Sequence, residues 1–311
     1  MKAARIQSFG PAETLTITET ETPVLDRPGD VLVRVMASGV NAIEWKIRNG
    51  AMARALGRPL PVTLGWEFAG VVAAVGSAVR GLPVGAAVHG YPEFTRDGSH
   101  AEYVLVDAAQ LAVKPATLSF EQAAAVPMTA QAAWSVLEAA GDVAGQRVLI
   151  HGAGGAVGHW LVQLAKQHGA RVTATVSQGD AARVAGLGAD RTLDYRVERF
   201  EDAGPFDLVF DLVGGETQAR SWSVLSSAGL LVSTVQPPDQ AQARAAGAAG
   251  RFVFTAPRGA VLSEIDALIE SRRLVPLDVA QCRPLDDIAL VYAEGEAGNR
   301  VGKTVLVIGT A

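Results

Sequence analysis

The chain has 311 residues, of which 49% are hydrophobic and 19% charged, so it can bury one large core or two smaller ones. Its formal net charge is -5, and the 27 basic and 32 acidic side chains are interspersed, which leaves no basic stripe for a nucleic-acid backbone. No apolar run approaches the ~18 residues that cross a bilayer, and the first residues lack the apolar run of a signal peptide. We therefore expect a cytoplasmic protein that binds neither nucleic acid nor membrane.

Motifs for binding metal ions are scarce in the sequence. Cys282 is the only cysteine, which excludes an internal disulfide and every thiolate-rich structural zinc site. The five histidines show no HExxH spacing. We therefore expect no bound metal.

The first part of the chain, to about residue 118, is predicted to form short strands separated by Gly and Pro. These strands are expected at 31–37, 67–75, 87–90 and 100–106. They predict an antiparallel, barrel-like β domain. From Ser119, a helix N-cap followed by a long Ala-rich stretch predicts a helix that bridges two domains and is interrupted at Pro127.

From Arg147 onward, β-branched runs alternate with helical ones, which predicts βαβ units around a parallel sheet. After the first two such strands, further strands are expected at 206–212, 229–235 and 251–255. The small, polar stretch 236–250 is expected to be a mobile surface loop. A helix around 262–272 and a strand at 303–308 are expected to return to the first domain.

The segment HGAGGAVG lies directly after an apolar strand and directly before an amphipathic helix, and it carries Gly152, Gly155 and Gly158. Read as GxGxxG, the match has Ala153 in the first position. Glycines permit a tight turn and let backbone N–H groups approach a pyrophosphate, while the helix N-terminus supplies unsatisfied donors. We therefore predict that the turn, including Ala156 and Val157, binds a dinucleotide; the alternative is a merely Gly-rich turn.

The end of the second parallel strand is where the adenosine ribose is recognised. The chain has Ser177 there instead of the carboxylate that an NAD enzyme favours, and Ser177 can bond a 2′-phosphate. Asp180 would repel that phosphate unless it points away, while Arg183 is placed to offset its charge. These residues favour NADPH as the cofactor over NADH.

In combination, the motifs resemble the zinc-less quinone oxidoreductase and alkenal reductase branch of the medium-chain dehydrogenase/reductase superfamily. The resemblance covers essentially the whole chain and rests on GVNAIEWKIRNG, LGWEFAGVVAAVGSAV, GAAVHG, GSHAEYVLVD, LSFEQAAAVPMTAQAAW, HGAGGAVG, GADRTLDY, FDLVFDLVGG and VGKTVLVI. It implies an α/β fold with a GroES-like catalytic domain over 1–120 and 261–311. It also implies a doubly wound Rossmann domain over 121–260, a cofactor between the domains, and a homodimer.

The resemblance also assigns roles to individual residues. Asn41 is similar to the asparagine of the active-site loop, Thr129 to the threonine near the nicotinamide, and Tyr195 to the tyrosine near the 2′-phosphate. Val213 and Phe254 stand where the family lines the nicotinamide pocket.

The chain departs from the family patterns at several positions. Zinc-dependent relatives carry a cysteine and a His-Glu pair as ligands where this chain has Ser38 and Trp66, so catalytic zinc is not expected. Many quinone reductases carry a tyrosine where this chain has Lys46, and the usual 2′-phosphate lysine is replaced by Asp180.

The expected activity is NADPH-dependent hydride transfer to a quinone or an α,β-unsaturated carbonyl, because a conjugated acceptor delocalises the developing charge without a Lewis acid. Lys46 is the cationic candidate for stabilising that charge, or else a solvated surface lysine. Asn41 is a neutral donor, an orienter of the nicotinamide ribose, or only a turn former. The aromatic residues either wall the substrate pocket or belong to the core: Trp45, Trp66, Tyr91 and Phe94.

Two other functions stay open at this point. An enoyl-thioester reductase would need basic residues at the mouth of a phosphopantetheine channel, for which Arg48, Arg54 and Arg58 are the candidates. A dinucleotide-binding protein without turnover, such as a redox sensor, would use the fold for binding alone.

Overall fold

The computed structural model describes residues 1–298 and 302–309. The chain divides into two compact units, one formed by residues 1–128 with those from 256 onward, the other by residues 129–255. The sequence analysis put these boundaries at 120/121 and 260/261. Helix 120–123 belongs with the first unit because it packs tightly on the strand that ends at Gly39, where an added Cβ would lie 2.5 Å from the Ala124 carbonyl oxygen.

The strands and helices are as follows in chain order. The strands are β1 (Lys2–Ile6), β2 (Leu15–Glu19), β3 (Asp30–Gly39), β4 (Val62–Thr63), β5 (Phe68–Val75), β6 (Ala87–Gly90), β7 (Tyr103–Asp107), β8 (Leu111–Val113), β9 (Arg147–His151), β10 (Arg171–Val176), β11 (Arg191–Asp194), β12 (Phe206–Asp211), β13 (Leu225–Ser233), β14 (Ala249–Phe252), β15 (Val279–Pro284) and β16 (Lys303–Val307). The α-helices are α1 (Ala42–Arg48), α2 (Phe120–Ala123), α3 (Pro127–Ala140), α4 (Ala156–Gln167), α5 (Ala181–Gly186), α6 (Gly215–Ser221), α7 (Gln240–Ala245), α8 (Gly259–Glu270) and α9 (Ile288–Glu296).

The first unit is built on a sheet with the strand order β15-β16-β3-β5-β6-β8, in which β7 also pairs with β3. All these pairings are antiparallel except β15 with β16. Alternate residues of β3, Val31, Val33 and Val35, are fully buried, which is the period-two pattern of a strand with one face on the core. The prediction of an antiparallel β domain is confirmed.

A smaller sheet with the order β2-β1-β4 holds the N-terminus of this unit. The sequence analysis did not identify β1 or β2. In β1 the buried residues include Ala3 and Ala4, both 0% exposed, and alanine has a low propensity for strands. β1 therefore lacks the β-branched pattern from which strands such as β3 and β5 were predicted.

The second unit is a parallel sheet with the order β11-β10-β9-β12-β13-β14. All six strands are parallel. Starting from β9 at the centre, β10 and β11 are added in sequence on one side and β12, β13 and β14 on the other, which is the doubly wound strand order of a Rossmann fold. Leu149, Val209 and Leu231 from neighbouring strands form the centre of its core and are fully buried. The predicted α/β architecture is confirmed in this unit.

Two expectations about local structure change. The bridging helix consists of α2 and α3, and Pro127 opens α3, where its missing N–H is not needed. The expected mobile loop at 236–250 is wrong, since it contains α7 and the start of β14. Asp239 caps α7 by accepting hydrogen bonds from the backbone nitrogens of Ala241 and Gln242 at 2.7 and 3.1 Å.

The described helices also bear on the membrane expectation. In residues 1–298 and 302–309, none of them combines the length and the apolar character that a membrane span needs.

Candidate active-site residues

The Gly-rich turn joins β9 to α4 and has the conformation that its glycines require. Gly152 has φ +73°, in the left-handed region that favours glycine. A Cβ on Gly158 would lie 2.5 Å from Ala153 Cα and 2.6 Å from the Gly152 carbonyl oxygen, so only glycine lets α4 approach the turn this closely. A Cβ on Gly155 would meet only the Gly152 carbonyl oxygen, at 3.4 Å, so the turn is otherwise open beside it.

These three glycines therefore do what a dinucleotide turn requires of them: one makes the tight turn, one leaves room for a pyrophosphate, and one permits close packing of the helix. Ala156 and Val157 are the first residues of α4, whose leading N–H groups have no partner within the helix. The arrangement fits an anionic ligand at this helix N-terminus.

His151 is the last residue of β9, directly before the Gly-rich turn, and its ring is hydrogen-bonded to β10 and α6. Its Nε2–H donates to Ser221 Oγ at 3.0 Å, because the Ser221 hydroxyl itself donates to the Thr217 carbonyl oxygen. Its Nδ1 then accepts from the Thr175 hydroxyl at 3.0 Å. Burial lowers the pKa of His151 to about 4, so the ring is neutral at physiological pH. Both ring nitrogens are used structurally, which leaves no metal-ligand role for His151.

Ser177, Asp180 and Arg183 come together beyond the end of β10. The Ser177 hydroxyl donates to Asp180 Oδ2 at 2.7 Å, and Arg183 Nη2 donates to Asp180 Oδ1 at 2.6 Å. Arg183 Nη2 also donates to the Gly154 carbonyl oxygen at 2.7 Å, within the Gly-rich turn. The Asp180 carboxylate is thus paired with a cation, which reduces the repulsion that the sequence analysis expected from it.

Gly154 is a residue of the turn that the sequence analysis did not select. A Cβ on Gly154 would lie 2.7 Å from Asp180 Oδ2, so the glycine is needed for the carboxylate to approach the turn. The signal was the first glycine of the GG pair in HGAGGAVG.

The other residues expected around the cofactor differ in exposure. Thr129 is 4% exposed, and its hydroxyl accepts from Trp160 Nε1 at 3.1 Å. Val213 and Phe254 are 54% and 52% exposed. A Cβ on Gly152 would lie 3.1 Å from Val213 Cγ2, which places Val213 beside the turn. Tyr195 is 58% exposed, with the Arg196 guanidinium 5.6 Å from its ring centre.

Asn41 lies at the N-terminus of α1, inside a buried polar network of the first unit. Its side-chain nitrogen Nδ2 donates to Glu67 Oε1 at 2.8 Å, and its Oδ1 accepts from Lys303 Nζ at 2.7 Å. Lys303 and Glu67 also form an ion pair with each other. Glu67 Oε2 accepts from the backbone nitrogen of Met128 at 3.0 Å.

Sequence reasoning assigned no role to Glu67 or Lys303. They lie 26 and 262 residues from Asn41, so no local pattern joins the three. The available signals were the glutamate of GWE and the lysine of VGKTVLVI.

A second part of the network surrounds Glu44, which is fully buried. Glu44 Oε2 accepts from the Asn41 backbone nitrogen at 3.0 Å and from the Tyr292 hydroxyl at 3.2 Å, and it lies 3.4 Å from His100 Nε2. Burial alone would raise the pKa of Glu44, but the charge and hydrogen bond of His100 and the Asn41 N–H hold it below its ordinary value. A buried carboxylate therefore fixes the start of α1.

The arginines that were candidates for the mouth of a phosphopantetheine channel differ in their surroundings. Arg48 is fully buried, pairs with Glu296 and donates to the Gly10 carbonyl oxygen at 2.7 Å, so its expected place at such a mouth is wrong. Arg58 pairs with Asp97 at 3.5 Å, and Arg54 is exposed. Lys46 is exposed on α1, as expected of a solvated lysine.

The aromatic side chains that were candidates for a pocket wall are core residues. Trp66 and Tyr91 are 0% and 1% exposed, and Trp45 and Phe94 are each 9% exposed. Trp66 packs against Phe94 with ring centres 5.0 Å apart. Burial raises the pKa of Tyr91, so its hydroxyl stays protonated.

Comparison with known proteins places this geometry in a family. Residues 27–116 match the alcohol dehydrogenase GroES-like domain, and residues 187–306 match the zinc-binding dehydrogenase family. The chain is 35% identical to 2-methylene-furan-3-one reductase of Solanum lycopersicum, over 98% of the chain and 79% of that protein. The chain belongs to the quinone oxidoreductase and alkenal reductase branch of the medium-chain dehydrogenase/reductase superfamily.

Other members of the superfamily are similar to a comparable degree. The chain is 33% identical to the chloroplastic NADPH-dependent alkenal/one oxidoreductase of Arabidopsis thaliana, over 98% of the chain and 79% of that protein. Its structure matches that of the quinone oxidoreductase from Coxiella burnetii with a TM-score of 0.92, 32% identity and 99% of both chains covered. The recognition made from the motifs is confirmed.

The family that residues 187–306 match is named for zinc, a metal that proteins hold with Cys, His, Asp or Glu side chains. Among the described residues, no group of three or more His, Cys, Asp and Glu side chains is placed to hold a metal ion. The Ser38 hydroxyl lies 2.7 Å from Ser99 Oγ and 2.9 Å from His100 Nδ1, within a buried hydroxyl network. Trp66 has no acceptor atom to offer a metal, and Glu67 faces the Lys303 ammonium. This donor set does not fit zinc.

Proposed function

We propose that the chain is an NADPH-dependent reductase that transfers hydride to quinones or α,β-unsaturated carbonyl compounds without a catalytic zinc ion. One observation carries the proposal. The second unit carries a dinucleotide-type turn, and in the first unit Asn41 lies in a buried polar network whose Glu67 is paired with the Lys303 ammonium and not with a metal ion. The similarity to an NADPH-dependent alkenal/one oxidoreductase and to a quinone oxidoreductase supports the same activity.

The residues that would hold the cofactor follow from the second unit. The N–H groups at the start of α4 would bind the pyrophosphate over Gly155, and Ser177, Arg183 and Tyr195 would surround the 2′-phosphate. Thr129, Val213 and Phe254 are proposed around the nicotinamide. The Arg183 guanidinium offsets the negative charge of Asp180, so the carboxylate repels a 2′-phosphate less, which favours NADPH over NADH.

For hydride transfer to a conjugated acceptor, the main task of the protein is to position the nicotinamide and the acceptor. When bound, the nicotinamide supplies the hydride. A conjugated acceptor spreads the developing negative charge over its oxygen, so a neutral hydrogen-bond donor is sufficient to stabilise it. Asn41 is proposed as the donor that the first unit contributes. Lys46 is proposed as a solvated cation, and K46M is expected to keep the kcat of wild type.

The test is the rate of NADPH and NADH oxidation, followed by absorbance, with phenanthrenequinone, benzoquinone, a 2-alkenal and crotonyl-CoA as acceptors. Turnover of a quinone or the alkenal with NADPH preferred supports the proposal. Preferential turnover of crotonyl-CoA would instead indicate an enoyl-thioester reductase, which the burial of Arg48 does not favour. Tight NADPH binding without turnover of any acceptor would indicate a sensor.

We also propose that the protein is a homodimer, as its family resemblance implies. The outer edge of β14 carries backbone groups that no strand among the described residues pairs with, and Phe252 of this strand is 42% exposed. An exposed edge strand with apolar side chains is a surface that a second copy can cover. Light scattering coupled to size-exclusion chromatography measures the mass directly, and a monomer at micromolar concentration would contradict the proposal.

A further inference from the structure

The side-chain amide of Asn41 is held between opposite charges. Its Oδ1 lies 2.7 Å from the Lys303 ammonium, and its Nδ2 lies 2.8 Å from Glu67 Oε1. If the amide were turned over, its NH₂ group would face the ammonium and its oxygen would face the carboxylate. Both contacts would be repulsive, so the charges select one orientation of the amide.

The two charges that orient Asn41 are themselves fixed. Lys303 is 2% exposed and Glu67 is 0% exposed. Lys303 Nζ donates to the Val40 carbonyl oxygen at 3.3 Å, to Asn41 and to Glu67, so each of its three N–H groups has an acceptor. Glu67 in turn is held by the Met128 N–H at 3.0 Å. An ammonium whose three donors are all engaged holds its neighbour Asn41 in a fixed position.

One hydrogen-bonding group of the Asn41 amide is left for a ligand. The oxygen faces the ammonium, and the first N–H donates to Glu67. The second N–H meets no acceptor in the part of the chain that the structure describes, and 9% of the surface of Asn41 is exposed to solvent. A ligand that lies against Asn41 is therefore offered a donor, and it must present an acceptor.

We propose that Lys303 and Glu67 are positioning residues that make Asn41 a hydrogen-bond donor to an oxygen of the bound ligand. The inference rests on the proposed function, because it assumes that a reductase substrate or its cofactor reaches Asn41. That oxygen belongs either to the substrate carbonyl or quinone, or to the nicotinamide nucleotide. The chemistry is shared, and the two sources affect different measured constants.

The test compares N41A, the double variant E67Q/K303M and the triple variant that combines them. Removing both members of the ion pair avoids leaving one charge buried without a partner. D30N/R96M is the matched control, because it removes another ion pair of the same unit, joined at 2.9 Å, whose carboxylate is fully buried and whose guanidinium is 11% exposed. Circular dichroism melting confirms that each variant is folded, and K303R supplies a second variant that retains the positive charge.

The measured quantities are kcat and KM for the acceptor and Kd for NADPH from fluorescence titration. We expect N41A and E67Q/K303M to change the same constant, either lowering kcat or raising the NADPH Kd, by a similar factor of about 10 to 100, somewhat below the loss typical of a complete oxyanion donor. The triple variant should be no worse than N41A, since all three substitutions remove one hydrogen bond. K303R should lose less than E67Q/K303M because it keeps the positive charge, and D30N/R96M should match wild type.

The constant that changes identifies the source of the oxygen. A fall in kcat with NADPH Kd unchanged assigns it to the substrate, while a weaker NADPH Kd assigns it to the cofactor. Wild-type kcat, KM and Kd in folded E67Q/K303M, or in N41A, would overturn the inference. So would a triple variant whose loss is the product of the separate losses. If wild type reduces no acceptor, the proposed function fails, but the Kd series still tests the positioning.

Discussion

Lowering the pH is predicted to destabilise the second unit through His151, which the fold keeps neutral. Burial lowers the pKa of this imidazole to about 4 from its ordinary 6.5. The unfolded chain therefore takes up a proton below about pH 6.5, while the folded chain does not until about pH 4. The stability that neutral His151 preserves is complete above about pH 6.5 and is lost progressively as the pH falls to about 4.

The magnitude follows from the size of that pKa difference. Each unit is worth about 1.4 kcal/mol, so the full loss is about 3 kcal/mol, and about 2 kcal/mol of it has occurred at about pH 5. Because other groups also titrate, the relevant quantity is the difference between wild type and H151N, which carries no titrating group at this position.

Native-state hydrogen exchange of the β9 and β10 amides measures the free energy of unfolding of this unit, after correction for intrinsic exchange at each pH. Between about pH 7.5 and about pH 5, wild type should lose about 2 kcal/mol more than H151N. Equal losses in the two proteins would show that His151 is not held neutral by the fold, and would refute the hydrogen bonding deduced for it.

Three further predictions concern the turn, the cofactor and the first unit. G158A should weaken NADPH binding in calorimetric titration by about tenfold or more, because its Cβ would lie 2.5 Å from Ala153 Cα. G186A, whose Cβ meets nothing within 4 Å, should bind NADPH normally. R183M should reduce the ratio of kcat/KM for NADPH over NADH by about tenfold, and an unchanged ratio would exclude Arg183 from the 2′-phosphate site. D266A should cost about 1 to 3 kcal/mol in thermal unfolding, because His89 Nε2 lies 2.9 Å from Asp266 and would lose its partner. D266N should restore most of that stability, since an amide can donate to the ring nitrogen.

Parts of the molecule that depend on local sequence were predictable. The turn at Gly152 to Gly158 was found because a Gly-rich segment between a strand and a helix has few other uses. The parallel sheet of the second unit was found from the alternation of β-branched and helical runs. Each of these patterns is contained in a short stretch of sequence, so it can be seen without knowing which distant residues come together.

Features that depend on distant residues were not predictable in the same way. Asn41 was selected from its motif, but its partner Lys303 lies 262 residues away and was assigned no role. Arg48 is a sequence candidate for the basic mouth of a phosphopantetheine channel, yet it is fully buried. Its burial depends on Glu296, which follows it by 248 residues. Sequence patterns therefore selected the Gly-rich turn and Asn41, but not the ion pairs that the fold forms around Asn41 and Arg48.

The central claim is reduction of conjugated acceptors by NADPH without zinc, and one measurement tests it most directly. Protein treated with a strong chelator and freed of metal is assayed for NADPH oxidation with a 2-alkenal and with phenanthrenequinone, before and after addition of zinc. We predict the same turnover in untreated, metal-free and zinc-supplemented protein. Activity that is lost with the chelator and restored by zinc would contradict the account.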